Sequence, residues 1–216
     1  MRAALVLGFA IGLGSLVFAC TSTTVVEKAP PPAGSSGESS GESSGESSGT
    51  SGTSEPGPLA LTSSAFENGA KLPVEHTCSD TSMPKDTSPP LAWSGGPAET
   101  KSFGIALYDE TFDGFEHSVI LDIPVDVLEL PANVEKTYQP KSVPGAKQTK
   151  DYGGQTNGYR GPCPPSGEHT YVFEIYALDV ETMPGVTQST TAKAGKALLE
   201  KHKLASTKLK AKFQKP

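Results

Sequence analysis

Beyond residue 58, apolar residues fall into short runs separated by turn-forming Pro and Gly residues. The three clearest runs are residues 103–108, 117–123 and 171–180, each rich in β-branched and aromatic side chains. Runs of this length and composition, bounded by turn residues, are typical of β-strands. Because these runs are apolar at most positions, we expect them in the middle of a sheet.

A helical composition is confined to residues 191–204, where Ala, Leu, Lys and Glu are prominent and Gly195 is unfavourable. Residues 131–161 show little periodicity, and their Lys, Gln, Gly and Asn content predicts an excursion over the surface. The pattern as a whole predicts one mainly β domain, a sandwich with few helices, over residues 59–216. That length is sufficient for one domain with one core.

The N-terminus carries a different pattern. A nearly uninterrupted apolar run over residues 3–19 follows Met1 and Arg2 and stops immediately before Cys20. One positive charge, a short apolar core and a small residue before the break are typical of a secretory signal. A cysteine directly after that small residue is similar to the lipobox of bacterial lipoproteins. We expect residues 1–19 to be a lipoprotein signal peptide and Cys20 to be lipidated; the alternative is an ordinary signal peptide with an incidental cysteine.

Residues 20–58 contain this cysteine and a low-complexity segment with Gly-Glu-Ser-Ser repeats that begin at Gly37, Gly41 and Gly45. So few apolar residues cannot offset the entropy of ordering the chain, and we expect a disordered tether of Gly, Ser, Glu and Pro. The prediction for the whole protein is therefore an exported domain in the cell envelope, held to a bacterial membrane by a lipid anchor.

Three cysteines are an odd number for an exported protein. If Cys20 carries lipid, Cys78 and Cys163 remain and can form a disulfide in an oxidising compartment. Such a bond would stabilise the domain by about 4 kcal/mol in the chain-entropy model. Two free, partly buried thiols are the alternative.

Charge limits the class of partner. The formal net charge is -6, of which residues 59–216 carry -3. We therefore expect no nucleic-acid binding, because a polyanion needs a basic footprint. Residues 193–215 nevertheless hold eight Lys and one Glu. The simplest interpretation is a solvated helix face whose lysine stems cover Leu198, Leu199 and Leu204; a weak attraction to anionic lipid headgroups is the alternative.

The segment with the most chemical information is residues 158–171, where Gly and Pro residues lead into the third strand. Glycine lets backbone N–H groups approach a ligand closely, and proline stiffens the turn. His169 and Tyr171 occupy alternate positions of the entering strand, so their side chains point the same way. A stiff backbone with a convergent His and Tyr suggests an anion pocket, to which Asp109 and His117, at the ends of two other strands, can contribute.

Four segments, taken in order and spacing, resemble the bacterial branch of the phosphatidylethanolamine-binding protein family, also called Raf kinase inhibitor-like. They are SPPLAW at 88–93, FGIALYD at 103–109, HSVILDIP at 117–124 and GPCPPSGEHTY at 161–171. The tail, with HKLA at 202–205, KL at 208–209 and FQ at 213–214, looks like that branch's closing helix and last strand. The resemblance covers about residues 59–215 and implies an antiparallel β-sandwich with a few peripheral helices and a small pocket at one end.

The resemblance also implies a site that accepts phosphate, acetate or a phosphorylated headgroup, without metal or cofactor. The matching positions are Asp109, His117, Gly161, Pro162, His169 and Tyr171, with Phe115 as a rim aromatic. The chain has Asp109-Glu110-Thr111 where family members commonly have Asp-Pro-Asp, and the segment from there to His117 is about two residues short. Ser118 stands in place of a bulky aromatic, and Thr170 in place of Arg. These departures concern the specificity of the pocket.

Structural alternatives exist for each residue. Either pocket histidine could be a core residue bonded to a backbone carbonyl, and Asp109 could cap a turn. Asp109, His117 and His169 are residue types that bind zinc, but neither HExxH nor closely spaced histidines occur, so we expect no metal. We assign His76, His202 and Trp93 structural roles.

Two classes of function remain. The first is a non-enzymatic, membrane-tethered binding module for small anions or phospholipid headgroups, with regulation of partners as its further role, although no protein partner is indicated. The alternative is a hydrolase with His169 or His117 as general base, since imidazole titrates near neutral pH. Against the enzyme, no Gly-x-Ser-x-Gly motif occurs. A protease- or kinase-inhibitor-like regulator is implied by the family resemblance alone.

Overall fold

The computed structural model describes residues 57–78 and 86–216. The predicted signal peptide at 1–19, the lipidation site Cys20 and nearly all of the predicted tether at 20–58 lie outside these residues. The first strand begins at Gly57, inside the C-terminal end of the predicted tether.

The described residues form eight strands and one α-helix. In chain order they are β1 Gly57–Thr62, β2 Leu91–Gly96, β3 Ser102–Asp109, β4 Phe115–Pro124, β5 Glu129–Leu130, β6 Lys147–Gln148, β7 Glu168–Leu178, α1 Ala192–Lys201 and β8 Lys203–Gln214, with a 3-10 turn at Val74–His76. The strands make two sheets, in the orders β1-β2-β5 and β6-β4-β3-β7-β8. Every pairing between these strands is antiparallel, so the expected antiparallel sandwich is confirmed.

The main core lies between the two sheets. Trp93 of β2 packs edge-on against Phe103 of β3, with ring centroids 5.6 Å apart, and Phe66 packs against Phe173 of β7 at the same distance. A second, smaller core on the other face of the large sheet is covered by α1, whose Leu199 is fully buried. All eight residues of β3 are buried because both faces of this strand are covered. This explains why its sequence is apolar without alternation.

The helix is shorter than predicted. Thr191 caps it, since its Oγ1 accepts a hydrogen bond from the Ala194 N–H at 3.2 Å, and it ends at Lys201 because β8 begins at Lys203. Gly195, unfavourable by composition, is buried where the helix crosses the sheet. A Cβ at this position would lie 2.6 Å from the Thr149 side chain, so glycine permits the close approach.

The prediction that residues 131–161 cross the surface was wrong, because several of their side chains are buried. The segment holds the short strand β6, which pairs with β4, and Val134, Val143 and Tyr159 are buried in the main core. Gln148 is also buried, and its Nε2 donates hydrogen bonds to two backbone carbonyls of the same segment. Periodicity is absent because an irregular backbone, rather than a helix or strand, directs these side chains inward.

The lysine-rich tail is mostly a strand and not a helix face. In β8, Lys208, Lys210 and Lys212 alternate with buried Leu209, Ala211 and Phe213. The three lysines pair with Glu174, Glu110 and Glu168, at 3.8, 2.8 and 3.4 Å respectively. The charge of this edge strand is therefore balanced locally, which weakens the case for attraction to anionic lipid. Within the described ranges, no helix is long and apolar enough to cross a membrane.

Candidate functional site

Three strand ends meet at one end of the sandwich. Asp109, the last residue of β3, pairs in register with Phe115 of β4 on one side and with Tyr171 of β7 on the other. The antiparallel register therefore brings residues distant in sequence to the same place. They enclose a cavity of about 230 Å³, lined by Asp109, Phe112, Phe115, His117, Tyr152, Cys163, Pro164, Pro165, His169 and Tyr171.

Asp109 orients His169. The histidine Nδ1 donates a hydrogen bond to Asp109 Oδ2 at 2.6 Å, and both side chains are nearly buried. The other carboxylate oxygen accepts the backbone N–H groups of Thr111 and Phe112 at 2.9 and 3.1 Å. Asp109 thus caps a turn and also fixes an imidazole, the two alternatives raised by the sequence. Because Nδ1 is committed to the carboxylate, Nε2 is the nitrogen through which His169 can contact a ligand.

His117 has different surroundings. Its ring is buried, and Nδ1 donates to the carbonyl oxygen of Arg160 at 3.1 Å. Burial lowers the pKa of this imidazole, and the hydrogen bond to Arg160 and the charge of Asp109 only partly oppose the effect. A neutral ring with its proton on Nδ1 carries a lone pair on Nε2, so His117 is an acceptor where a protonated His169 would be a donor.

Tyr171 contacts both His117 and Asp109. Its side chain is buried, and its ring centroid lies 5.4 Å from that of His117. Burial raises the pKa of the phenol, and the charge of Asp109 and a hydrogen bond to that carboxylate raise it further. The hydroxyl therefore stays protonated and helps to hold Asp109 in place.

Gly161 and Pro162 do not line the cavity. The Gly161 N–H donates to Asp86 Oδ1 at 2.7 Å, and the Pro162 carbonyl accepts the Cys78 N–H at 2.9 Å. A Cβ on Gly161 would lie 2.6 Å from the carbonyl oxygen of His76, so glycine is required for this close contact. These two residues hold the cavity wall against His76, Cys78 and Asp86, and the Gly161 N–H is already paired.

Cys78 and Cys163 form a disulfide, with Cα atoms 5.2 Å apart. Cys163 lines the cavity, so the disulfide joins the cavity wall at residues 163–165 to Cys78. The buried His76 lies beside this connection, and its Nδ1 contacts the Thr87 carbonyl at 3.0 Å. His202 pairs with Asp179 after α1 and is not a cavity residue.

Sequence reasoning missed two cavity residues and two that support the wall. Phe112 lies in the turn between β3 and β4, and Tyr152 lies within the segment that was expected on the surface. Arg160 stacks over Tyr152, with its guanidinium carbon 4.6 Å from the ring centroid. Asp86 binds Gly161 through the contact above. The one usable signal was Tyr152 itself, an aromatic residue followed by two glycines in an otherwise polar segment.

The chemistry of the cavity follows from these parts. Its lining includes one carboxylate, two imidazoles and two phenols, together with apolar and aromatic walls. Among the residues that the structure describes, no group of three or more His, Cys, Asp or Glu side chains is arranged to hold a metal ion. Nε2–H of a protonated His169 can donate to an oxyanion, and neutral His117 can accept from a hydroxyl of the same ligand.

Comparisons with known proteins all identify the same family. Residues 62–214 match the family model described as "Phosphatidylethanolamine-binding protein". A UPF0098 protein of Methanothermobacter thermautotrophicus is 36% identical over 155 residues, which cover 70% of this chain and 95% of the relative. The crystal structure of Escherichia coli YbcL, described as a new member of the mammalian PEBP family, aligns with a TM-score of 0.66 at 29% identity, covering 74% of this chain and all of that one.

A third relative bears on location. The Mycobacterium tuberculosis protein named "Putative lipoprotein LppC" is 31% identical over 143 residues, which cover 63% of this chain and 65% of the relative. The relatives that are matched over nearly their whole length correspond to the β-sandwich alone. Such a domain therefore folds without the preceding residues.

Proposed function

The chain belongs to the phosphatidylethanolamine-binding protein family, and on that premise we propose that it is a membrane-tethered binding module for phosphate or a phosphorylated headgroup. The observation that carries this proposal is the convergence of the Asp109–His169 pair, His117 and Tyr171 on one cavity of about 230 Å³. The volume suits a headgroup-sized ligand rather than a whole phospholipid.

His169 is the principal donor in this proposal. Asp109 holds the ring at 2.6 Å and directs Nε2 to the ligand, while Tyr171 and two backbone N–H groups keep the carboxylate in position. When His169 is protonated, the positive charge of its ring neutralises the negative charge of the Asp109 carboxylate. The ring Nε2–H can then donate a hydrogen bond to a phosphoryl oxygen. Gly161 and Pro162 serve the site by holding its wall.

The test is calorimetric titration of residues 57–216 with inorganic phosphate, phosphoethanolamine and a short-chain phosphatidylethanolamine. We expect saturable binding that His169→Ala abolishes. His202→Ala is the matched control, because it removes an imidazole that is also bonded to a carboxylate but lies outside the cavity. Absence of binding in the wild type, or equal affinity in His169→Ala, contradicts the proposal.

A hydrolase is the second candidate, and the state of His117 favours it. Burial lowers the pKa of His117, and a neutral imidazole at pH 7 is what a general base requires. Ser and Thr are absent from the lining, and Cys163 is in the disulfide, so this candidate uses water, activated by His117, as the nucleophile. Turnover of a phosphoester or carboxylic ester that His117→Gln abolishes would establish this activity. An inhibitor-like regulatory role has no support here beyond the family.

Export and lipidation at Cys20 complete the proposal. The support is the apolar run that ends at this cysteine and the name of the LppC relative. Metabolic labelling of the full chain with a fatty acid tests it. We expect label in the membrane fraction of the wild type and none in Cys20→Ser; equal labelling of the two would contradict a lipid anchor at this cysteine.

A further inference from the structure

A second cavity lies in the main core between the two sheets. Its volume is about 40 Å³, roughly three times the space that one water molecule requires. We call it the inner cavity, and its lining includes Ser88, Leu107, Ser118, Val134, Gln148 and Phe173. It shares no lining residue with the first cavity, which contains both imidazoles. Leu107 lies two residues along β3 from Asp109, so the lining positions of the two cavities on this strand are about 7 Å apart.

The lining of the inner cavity is uncharged and mostly apolar. Leu91 and Leu130 come from the small sheet, whereas Ile105 and Phe173 come from the large sheet. None of the lining residues is an Asp, Glu, Lys, Arg or His. An ion in this cavity would lose its hydration without gaining a counter-charge, and such a transfer is costly. The inner cavity therefore suits a neutral molecule with an apolar body, unlike the first cavity.

One buried polar side chain in this lining has no partner. The side chains of Gln148 and Tyr159 donate hydrogen bonds to backbone carbonyls of residues that do not line the inner cavity. Ser118, in contrast, is only 7% exposed, and its hydroxyl has no hydrogen-bond partner within the described ranges. A buried hydroxyl without a partner is uncommon, because nothing compensates for its lost hydration. The Ser118 hydroxyl is therefore available to a polar group of a molecule in the inner cavity.

The inner cavity is held open by the structure around it. Three of its walls are β3, β4 and β7, and these strands cannot move together without breaking the hydrogen bonds of their paired backbones. Every lining residue except Ser88 is buried, so the most accessible approach lies beside Ser88. Two hydrogen bonds fix this residue, since its Oγ accepts the Val134 N–H and its carbonyl accepts the Asn133 N–H, both at 2.9 Å. A ligand would therefore enter a space that is already formed.

We propose that the inner cavity is a second binding site, for a small neutral molecule with an apolar body and one hydroxyl group, of the size of a short-chain alcohol. The ligand hydroxyl bonds to Ser118, and its carbons contact Leu107 and Phe173. Water is the competing occupant, but a buried water usually makes about three hydrogen bonds, and the buried lining side chains offer one unpaired hydroxyl. This site goes beyond the function proposed above, because neither its lining nor its ligand depends on anion binding.

The test is methyl NMR of residues 57–216 during titration with propan-2-ol in a buffer without phosphate. We expect the methyl resonances of Leu107 and Val134 to shift in a saturable way with a common dissociation constant. A ligand this small binds no more tightly than about 0.05 mM. The methyl groups of Leu199 are the internal control, because this residue is buried in the second core and does not line the inner cavity. Saturable shifts of equal size at Leu199 would contradict a specific site.

Two variants separate the space from the hydroxyl. Ser118→Leu fills the inner cavity and should abolish the saturable shifts, whereas Ser206→Leu makes the same change in β8, outside the lining, and should leave them unchanged. Ser118→Ala keeps the space but removes the hydroxyl, and should weaken binding roughly three- to tenfold; it decides the matter if Ser118→Leu does not fold.

Three results would overturn the proposal. They are binding retained in a folded Ser118→Leu, unchanged affinity in Ser118→Ala, and no response of the wild type to propan-2-ol. The last result, together with cross-peaks between water and the lining methyl groups, would show that the inner cavity holds water only. Because the buffer contains no phosphate, a first cavity that binds no anion would refute the proposed function and leave this result unaffected.

Discussion

His169 with Asp109 and His202 with Asp179 are chemically the same pair in two regions of the molecule. In each, an imidazole Nδ1 contacts a carboxylate, at 2.6 and 2.9 Å. Asp109 is buried at the end of β3, whereas the Asp179 side chain is 52% exposed. The second nitrogen differs as well: His169 lines a cavity, but His202 Nε2 is buried without a hydrogen-bond partner among the described residues.

A histidine–carboxylate pair therefore does not make a binding site by itself. What distinguishes the first pair is the convergence of β3, β4 and β7, which leaves a concave space beside His169 and supplies a second imidazole and a phenol. The His202 pair joins the end of α1 to the end of β7 and lies outside the cavity.

The largest expected effect on stability comes from the disulfide, which lies beside the cavity and not beside the His202 pair. Its two cysteines are 85 residues apart in sequence. In the chain-entropy model, the double variant Cys78→Ser/Cys163→Ser should lower the free energy of unfolding by about 4 kcal/mol. Urea unfolding of the variant measures this, and reduced wild type should reproduce the value. A loss below about 1 kcal/mol would show that the bond contributes little to stability.

Removal of the two carboxylates compares the pairs directly. Asp109→Ala leaves the N–H groups of Thr111 and Phe112 and the His169 Nδ1–H without their acceptor. We expect a loss of about 1.5–3 kcal/mol, because the turn N–H groups and the His169 ring lose their hydrogen bonds to a charged acceptor. Asp179→Ala removes a largely exposed partner and should change stability by less than about 1 kcal/mol. Equal losses in thermal or urea unfolding would remove the energetic distinction between the two pairs.

A smaller effect concerns pH. In the unfolded chain His117 binds a proton near its ordinary pKa of about 6.5, whereas burial lowers its pKa in the folded state. Between these pKa values the unfolded state binds more protons, so stability falls as the pH drops below about 6.5 and this contribution levels off below the folded-state pKa. The slope is at most ~1.4 kcal/mol per pH unit for one proton. Unfolding curves across this range should show a smaller decline in His117→Gln; an identical decline would assign it to other groups.

Much of this architecture can be predicted from the sequence because the strongest signals in the sequence are local. The three predicted strands correspond to β3, β4 and β7, whose apolar runs reflect coverage on both faces of the large sheet. Asp109 and His117 were identifiable because strand ends are marked by a change from apolar to polar residues. His169 and Tyr171 follow from their alternate spacing on one strand.

The remaining features depend on contacts between distant residues. Tyr152 reaches the cavity through a segment without periodicity, so no local pattern marks it. The pairing of the Gly161 N–H with Asp86 comes from residues 75 positions apart, which no motif around Gly161 records. The charge pattern of residues 193–215 was interpreted as a helix face, but the helix ends at Lys201. Residues 203–214 form β8, the last strand that the family resemblance implied, and this strand pairs with β7 along its length.

The most direct test of the contrast between the two pairs is side-chain NMR of the histidines during titration with phosphate. Resonances of the imidazole nitrogens report contact with a ligand at each ring separately, within one molecule. We predict that His169 and His117 shift in a saturable way with a common dissociation constant, while His202 stays unchanged. Shifts of equal size at His202, or none at His169 up to saturating phosphate, would contradict the assignment of the cavity as the binding site.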